Sequence, residues 1–247
     1  MYKNILNIKF IKSDYGKIIK KLELGSFMVV PSGPGLATID IDKKYYKSLL
    51  NSDFALADSG FMILLYRLFY FKNIRKFSGA KFIRKFLNEG VLKDENSIFL
   101  IDPSNEEMIR NKIYLQSKGI KIKDDYQYVA PFYDKENIID YELLKKLEEL
   151  KDKPKFILIN LGGGVQERLG YHLKNHLTFK VGIICTGAAI AFLTGSQAKI
   201  PKFIDKIYLG WLFRIIQNPR AFLIRYLKAF RLIYVFIKFR LGKLKNE

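Results

Sequence analysis

The sequence is poor in the residues that staple or metallate a fold. It has one cysteine, Cys185, and two histidines, His172 and His176, in 247 residues. A single cysteine excludes a disulfide framework and a cysteine-based zinc site. It lies in the apolar run VGIICTG, which predicts a buried structural thiol rather than a nucleophile. The histidines stand at i and i+4, but Leu173-Lys174-Asn175 between them leaves no place for the glutamate of an H-E-x-x-H metalloprotease. They read as a surface pair. Acidic residues are scarce, 24 Asp+Glu against 43 Lys+Arg, for a net charge of +19. That excess calls for an anionic partner: nucleic acid, anionic lipid or a phosphate-rich substrate. Long apolar runs are missing as well. FMILLYRLFYF (61–71) and LIYVFI (232–237) are interrupted or short of the roughly 20 apolar residues a bilayer span needs. The N-terminal MYKNILNIKFIKSD is too short and too charged for a secretory signal.

What is there is a globular alternation. Short apolar runs, FMVV (27–30), FALA (54–57), SIFLI (97–101), FILIN (156–160) and VGIIC (181–185), read as buried strands. Between them KKYYKSLLN, NEEMIRNKIYLQSKG and NIIDYELLKKLEELKD read as helices, with a stop signal at Gly119 after the second. This order predicts an α/β fold: a Rossmann-like, mostly parallel sheet with helices on both faces. Ligands of such sheets bind beyond the carboxyl ends of the strands. There the sequence places PSGPG, DSG, DPSN, LGGG and TGAA. Character changes near Gly195. From Lys199 to Lys245 there are 12 Lys/Arg and one acid, Asp205, with aromatics interleaved. Two parts are expected: a Rossmann-like domain, 1–195, and a basic amphipathic helical appendage, 196–247, broken near Pro219. On one helical wheel Arg220, Arg231 and Lys238 share a side, widened by Arg225 and Lys228, and the remainder is nearly all apolar. That pattern fits an anionic membrane surface. No recognised nucleic-acid module accompanies it, so nucleic acid is not expected as a partner.

Several residues invite chemistry. Asp58 follows a buried strand and precedes Ser59-Gly60 and an apolar helix, so it is either a base or an N-cap. Asp40-Ile41-Asp42 has the D-x-D form that holds a metal in many nucleotide-sugar transferases. Asp42 precedes the helix KKYYKSLL and is better read as its cap, so no metal is assigned. The stretch ILINLGGGVQERLG (157–170) stops a β-branched run at three glycines and opens a helix. It is neither G-x-G-x-x-G nor a P-loop. Amides at a helix N-terminus still favour an anion, and Glu167 complements the same dipole.

These segments, in this order, resemble the WecG/TagA/CpsF family of bacterial glycosyltransferases (glycosyltransferase family 26). LNSDFALADSGFMILLYRLF is similar to the family's lnradlvlpDGigvvwaarll, RKFSGAKF to eRvtGsDl, and INLGGGVQERLGYH to vglGsPkQEkwi. GAAIAFLTGSQAKIPKFIDKIYLGWLFRIIQNPRAFLIRYL is the most specific match, through Gly195, Pro201, Lys202, Leu209, Trp211, Leu212, Arg214, Pro219 and Arg220. The resemblance implies an inverting transferase without a cofactor. It would move a sugar from a UDP-sugar to a polyprenyl-diphosphate-linked sugar, for wall teichoic acid, capsule or a related surface polysaccharide. It makes Asp58 the base and Gln166 and Glu167 donor-side residues, on a loop with Gly163 and Gly164. Thr186 and Gly187 form the neighbouring loop. Arg214 and Arg220 would neutralise the diphosphate, where bidentate geometry suits arginine. Ser32 stands where the family often has a ligand-contacting Thr or Asn, and Lys76 where it has Arg. Val165 replaces the lysine of PkQE, Gly210 the glutamate of LEW and Lys199 the arginine of RAP; the aspartate of gafDf falls on Ala191 or Ile190. These departures bear on the donor sugar. The expected location is cytoplasmic, peripheral on the inner face of the plasma membrane, and a homo-oligomer is compatible with the sequence. The alternatives are a non-catalytic membrane-associated adaptor retaining the fold, or a basic nucleic-acid-binding protein.

Overall fold

The computed structural model describes residues 2–12, 14–88, 92, 97–194, 204 and 210–242. Eight strands form one sheet in the order β1-β2-β4-β3-β8-β7-β5-β6. They are β1 (Tyr2–Ile5), β2 (Ile8–Ile11), β3 (Phe27–Val29), β4 (Phe54–Ala55), β5 (Ile98–Asp102), β6 (Gln127–Val129), β7 (Phe156–Ile159) and β8 (Gly182–Cys185). Only β1 and β2 pair antiparallel; every other neighbour is parallel. The central registers are Met28 beside Ile184, Leu158 beside Ile184, and Leu100 beside Leu158. Every residue of β3, β5, β7 and β8 is buried, as expected for strands covered on both faces.

The helices follow the strands: α1 (Tyr15–Glu23), α2 (Gly33–Leu36), α3 (Lys43–Leu50), α4 (Gly60–Tyr70), α5 (Gly79–Asn88), α6 (Asn105–Gln116), α7 (Tyr141–Glu149) and α8 (Val165–His176). The β5-α6-β6 connection runs one way along the sheet and β7-α8-β8 the other. Right-handed crossovers in opposite directions put α6 and α8 on opposite faces. Helix α8 lies close on the sheet because residue 170 is glycine. A Cβ there would stand 2.6 Å from the Phe27 ring and 2.9 Å from Cys185 Sγ. Cys185 is fully buried, as the sequence implied.

Two elements were not expected. The N-terminal hairpin turns through Leu6 and Asn7, both at positive φ (53° and 57°). A two-residue turn of that kind usually carries Asn-Gly. Here burial of Leu6 and a hydrogen bond from Tyr46 Oη to its carbonyl (3.1 Å) hold it. Strand β6 is a three-residue edge strand beside β5.

Beyond residue 210 lie three short helices: α9 (Gly210–Gln217), α10 (Pro219–Ala229) and α11 (Arg231–Arg240). The break at Pro219 is where the sequence put it; a second falls at Phe230. The expected boundary at 195/196 and the matched residues Gly195, Pro201, Lys202 and Leu209 lie outside the described residues. Helix α9 packs on α4, α10 on α2, and α11 on both. Leu232, Val235 and Phe236 of α11 are fully buried. Phe236 stacks on Phe69 (5.8 Å), and Phe230 meets Phe61 edge-on (5.4 Å). No helix among the described residues is long and apolar enough to cross a membrane.

Candidate active site

The loops leaving the carboxyl ends of the strands converge on one edge. Strand β3 leads to Ser32, which caps α2 by accepting from Gly35 N (3.2 Å). Strand β4 leads to Asp58, whose amide donates to Leu56 O (3.1 Å) in a tight turn. The cap of α4 is the next residue, Ser59, which accepts from Met62 N (3.2 Å). The N-cap alternative for Asp58 is therefore taken by its neighbour, and Asp58 sits half-buried beside it. The two loops touch: a Cβ on Gly33 would be 2.9 Å from Ser59 Oγ. The segment carrying Lys76 is drawn to the same place by Phe77 N donating to Ala57 O (3.0 Å).

The glycine loop after β7 is half open and half braced. Gly162 and Gly163 are exposed, with nothing within 4 Å of an added Cβ. Gly164 takes φ 91°, a conformation that favours glycine. Its amide donates to Glu167 Oε2 (2.6 Å), the N3 half of a capping box. Gln166 Nε2 donates to Glu167 Oε1 (3.0 Å), and Gln166 Oε1 accepts from Gly187 N (2.6 Å). The Cys185 thiol donates to Gln166 O (3.2 Å). Gln166 and Glu167 were expected to face the donor. Their bonds run instead within the protein, tying the loop after β7 to the loop after β8. Burial outweighs these bonds and pushes the Glu167 carboxyl up to about 7. Beside Gly187, Thr186 is buried and its hydroxyl has no hydrogen-bond partner among the described residues.

Sequence reasoning passed over the residues at the centre of this edge. Between β5 and β7 the outgoing connections diverge, a topological switch point, which in open α/β sheets is where ligands bind. Asp102 ends β5, fully buried; Asn160 follows β7; Asn111 comes from α6. Asp102 Oδ1 accepts from both amides at 2.7 Å. Its Oδ2 and both asparagine Oδ1 atoms lack partners among the described residues. Burial raises the Asp102 carboxyl to about 6, against the two amide bonds that lower it. The DPSN stretch marked the loop, but nothing in sequence joins residues 58 positions apart.

Further along the edge, beyond β6, an open pocket of about 380 Å³ is lined by Tyr128, Phe132, Tyr133 and Tyr141 among others. Asp140 builds its wall. It accepts from Tyr128 Oη (3.0 Å) and Tyr133 Oη (2.5 Å) and caps α7 through Leu143 N (2.8 Å). Burial and these bonds push both phenols up. The Asp140 amide donates to His172 Nε2 (3.4 Å). The histidines are thus not a surface pair. His172 is buried, ring to ring with His176 at 4.4 Å, and burial lowers its pKa.

The D-x-D residues serve structure. Asp42 caps α3 (Tyr45 N, 2.9 Å) and pairs with Arg168. Asp40 is gripped by Arg231 (2.5 and 2.8 Å), with Lys238 at 3.8 Å. This corrects the helical-wheel reading. Arg231 and Lys238 face the domain, on a helix that the second break at Phe230 separates from Arg220. Arg220 is exposed on α10. Arg214 lies on α9; its side chain is outside the described residues. Among the described residues no cluster of His, Cys, Asp and Glu could hold a metal.

An open α/β sheet edge whose loops gather carboxylates, amides and hydroxyls in this way is a ligand-binding edge. The sequence model of the glycosyl transferase WecG/TagA/CpsF family matches residues 3–246, so the chain belongs to that family and is a glycosyltransferase. It is 22% identical over 223 residues to the N-acetylglucosaminyldiphosphoundecaprenol N-acetyl-beta-D-mannosaminyltransferase of Bacillus subtilis (strain 168), covering 87% of this chain and 83% of the relative.

Proposed function

We propose that the protein transfers a sugar, with inversion, from a UDP-sugar to a polyprenyl-diphosphate-linked N-acetylglucosamine, in the synthesis of a bacterial surface polymer. The relative's name supplies the acceptor class. The single observation that carries the reading is the placement of Asp58 at the meeting of the β3 and β4 loops, with Ser59 serving as the cap. The donor lies across the switch-point crevice. Its diphosphate sits against the exposed Gly162-Gly163 backbone and the α8 N-terminus, with Thr186 offering its unpaired hydroxyl. The acceptor hydroxyl gives its proton to Asp58 as its oxygen bonds to the anomeric carbon. The bond from that carbon to the phosphate oxygen breaks, and UDP leaves with its charge countered by backbone amides and by Arg214 and Arg220. Residues 1–195 are the catalytic domain and 196–247 the appendage that meets the inner face of the membrane, where a lipid-linked acceptor resides.

The test is Asp58→Asn, assayed with a panel of UDP-sugars and a lipid-linked N-acetylglucosamine acceptor, product mass as readout. General-base loss predicts a fall in kcat of about 10²–10⁴-fold with the thermal transition unchanged. Near-normal transfer by the variant rules Asp58 out as the base.

A further inference from the structure

Beside its apolar contacts, the appendage meets the domain at a buried carboxylate. Asp40 lies between α2 and α3, with its side chain 2% exposed. Arg231 Nη1 and Nη2 reach its two oxygens at 2.5 and 2.8 Å, a fork-to-fork pair. Arg231 Nη1 also donates to Ala37 O (2.7 Å), at the carbonyl end of α2, where a cation is favoured. Lys238, seven residues and two turns further along the same face of α11, stands 3.8 Å from Asp40 Oδ2. Both cations come from α11, and both are spent on the domain.

The place of this clasp matters for the reaction. The appendage rests on α2 and α4. Those are the helices whose N-terminal caps are Ser32 and Ser59, the latter adjoining Asp58. Apolar contacts at Phe61–Phe230 and Phe69–Phe236 fix α11 along α4, but such packing has little directional preference. A bidentate arginine fixes rotation and register as well. With α11 docked the Asp40 carboxylate is desolvated, a state that its counter-charges on Arg231 and Lys238 make tolerable.

We propose that Asp40 is a positioning residue for sugar transfer: with Arg231 and Lys238 it clasps α11 to the domain, and so holds α9 and α10, with Arg214 and Arg220, over the Ser32 and Asp58 loops. The clasp acts through the appendage and touches no substrate. The inference rests on the reading that the appendage completes the active site.

The experiment measures two quantities in the full chain: hydrogen exchange of the 231–240 backbone, and steady-state transfer. In Arg231→Met, exchange over 231–240 accelerates at least tenfold while β5 and β7 stay protected. The kcat falls at least tenfold with a donor KM within about threefold of wild type. Arg231→Lys keeps the charge but loses the fork, and recovers both only in part. Asp40→Asn, nearly isosteric, reproduces the Arg231→Met pattern and serves where that variant does not fold. Unchanged exchange in both Arg231→Met and Asp40→Asn overturns the clasp. Lost activity with normal exchange overturns the positioning role, since Arg231 would then act on substrate directly. If the wild type transfers no sugar, the functional reading fails, yet the exchange comparison still decides whether the clasp exists.

Discussion

Asp102 and Glu167 are buried carboxyls on neighbouring loops, raised to about 6 and about 7. Each binds its proton more tightly in the folded chain than in the unfolded one. Between the unfolded value and the folded value, the folded state holds a proton that the unfolded state has released. Stability therefore falls as pH rises from about 4 through about 6 for Asp102 and on to about 7 for Glu167. Asp102→Asn keeps the shape and removes the titration. It is expected to flatten the fall in melting temperature over the lower part of that window and to raise the melting temperature above about pH 7. Melts of both proteins across the range check this, and parallel curves contradict it. Glu167 answers differently. Its oxygens take Gly164 N and Gln166 Nε2 while Gln166 holds Gly187, so Glu167→Ala leaves both of those donors without an acceptor and loosens the side chain that ties in the loop after β8. A loss of about 1–3 kcal/mol is expected at pH 8, read from denaturant midpoints.

At the scale of elements, two glycines of the same stretch predict opposite results. Gly170 lets α8 lie against β3 and β8. Alanine there gains about 1 kcal/mol of helix propensity but drives a methyl into the Phe27 ring and Cys185 Sγ, and overpacking of that kind costs about 1–3 kcal/mol. Gly170→Ala should be destabilised. Gly163→Ala meets nothing within 4 Å and should melt like wild type, while its donor KM rises if the loop backbone cradles the diphosphate. A donor KM unmoved by Gly163→Ala would take that loop out of the site. The contrast also shows which parts of the fold were legible. Strands β5, β7 and β8 announce themselves as continuous apolar runs because both faces are covered. The β1–β2 hairpin does not, since its turn is Leu-Asn and the signal for such turns is glycine. Strand β6 is three residues at an edge, too short for any periodicity. The place of Asp58 at the end of a strand, beside a helix start, could be read from the sequence. The Asp102–Asn160 contact could not, because it is made by sheet order, which brings β7 back between β5 and β8. Arg231 was misplaced because one wheel over 220–238 assumes one helix, whereas the break at Phe230 puts Arg220 on α10 and Arg231 and Lys238 on α11.

For the whole molecule the clasp changes how a membrane would be met. The charge of +19 points to anionic lipid, but Arg231 and Lys238 are committed to Asp40. Among the described residues the appendage turns many apolar side chains outward: Ile216, Ile224, Leu227, Ile237 and Leu241 are all exposed. Leu68 and Phe71 at the end of α4 are exposed too. Helices α4 and α11 run side by side in the same direction, since Phe61 meets Phe230 and Phe69 meets Phe236. Phe71 and Leu241 therefore project from the same end. An apolar surface of this extent, bordered by Arg240 and Lys228, suits insertion among lipid headgroups with charge in a supporting part. Two results are expected from sedimentation with anionic vesicles. Raising salt from about 0.1 M to about 0.5 M shortens the screening length and weakens binding without abolishing it. Replacing Leu227 and Ile237 together by serine, at exposed positions where folding is little affected, removes about 1.5–3 kcal/mol of apolar burial each and lowers the bound fraction's partition coefficient at least tenfold. Binding that vanishes with salt and ignores the double substitution would mean that the basic residues, rather than the apolar face, make the contact.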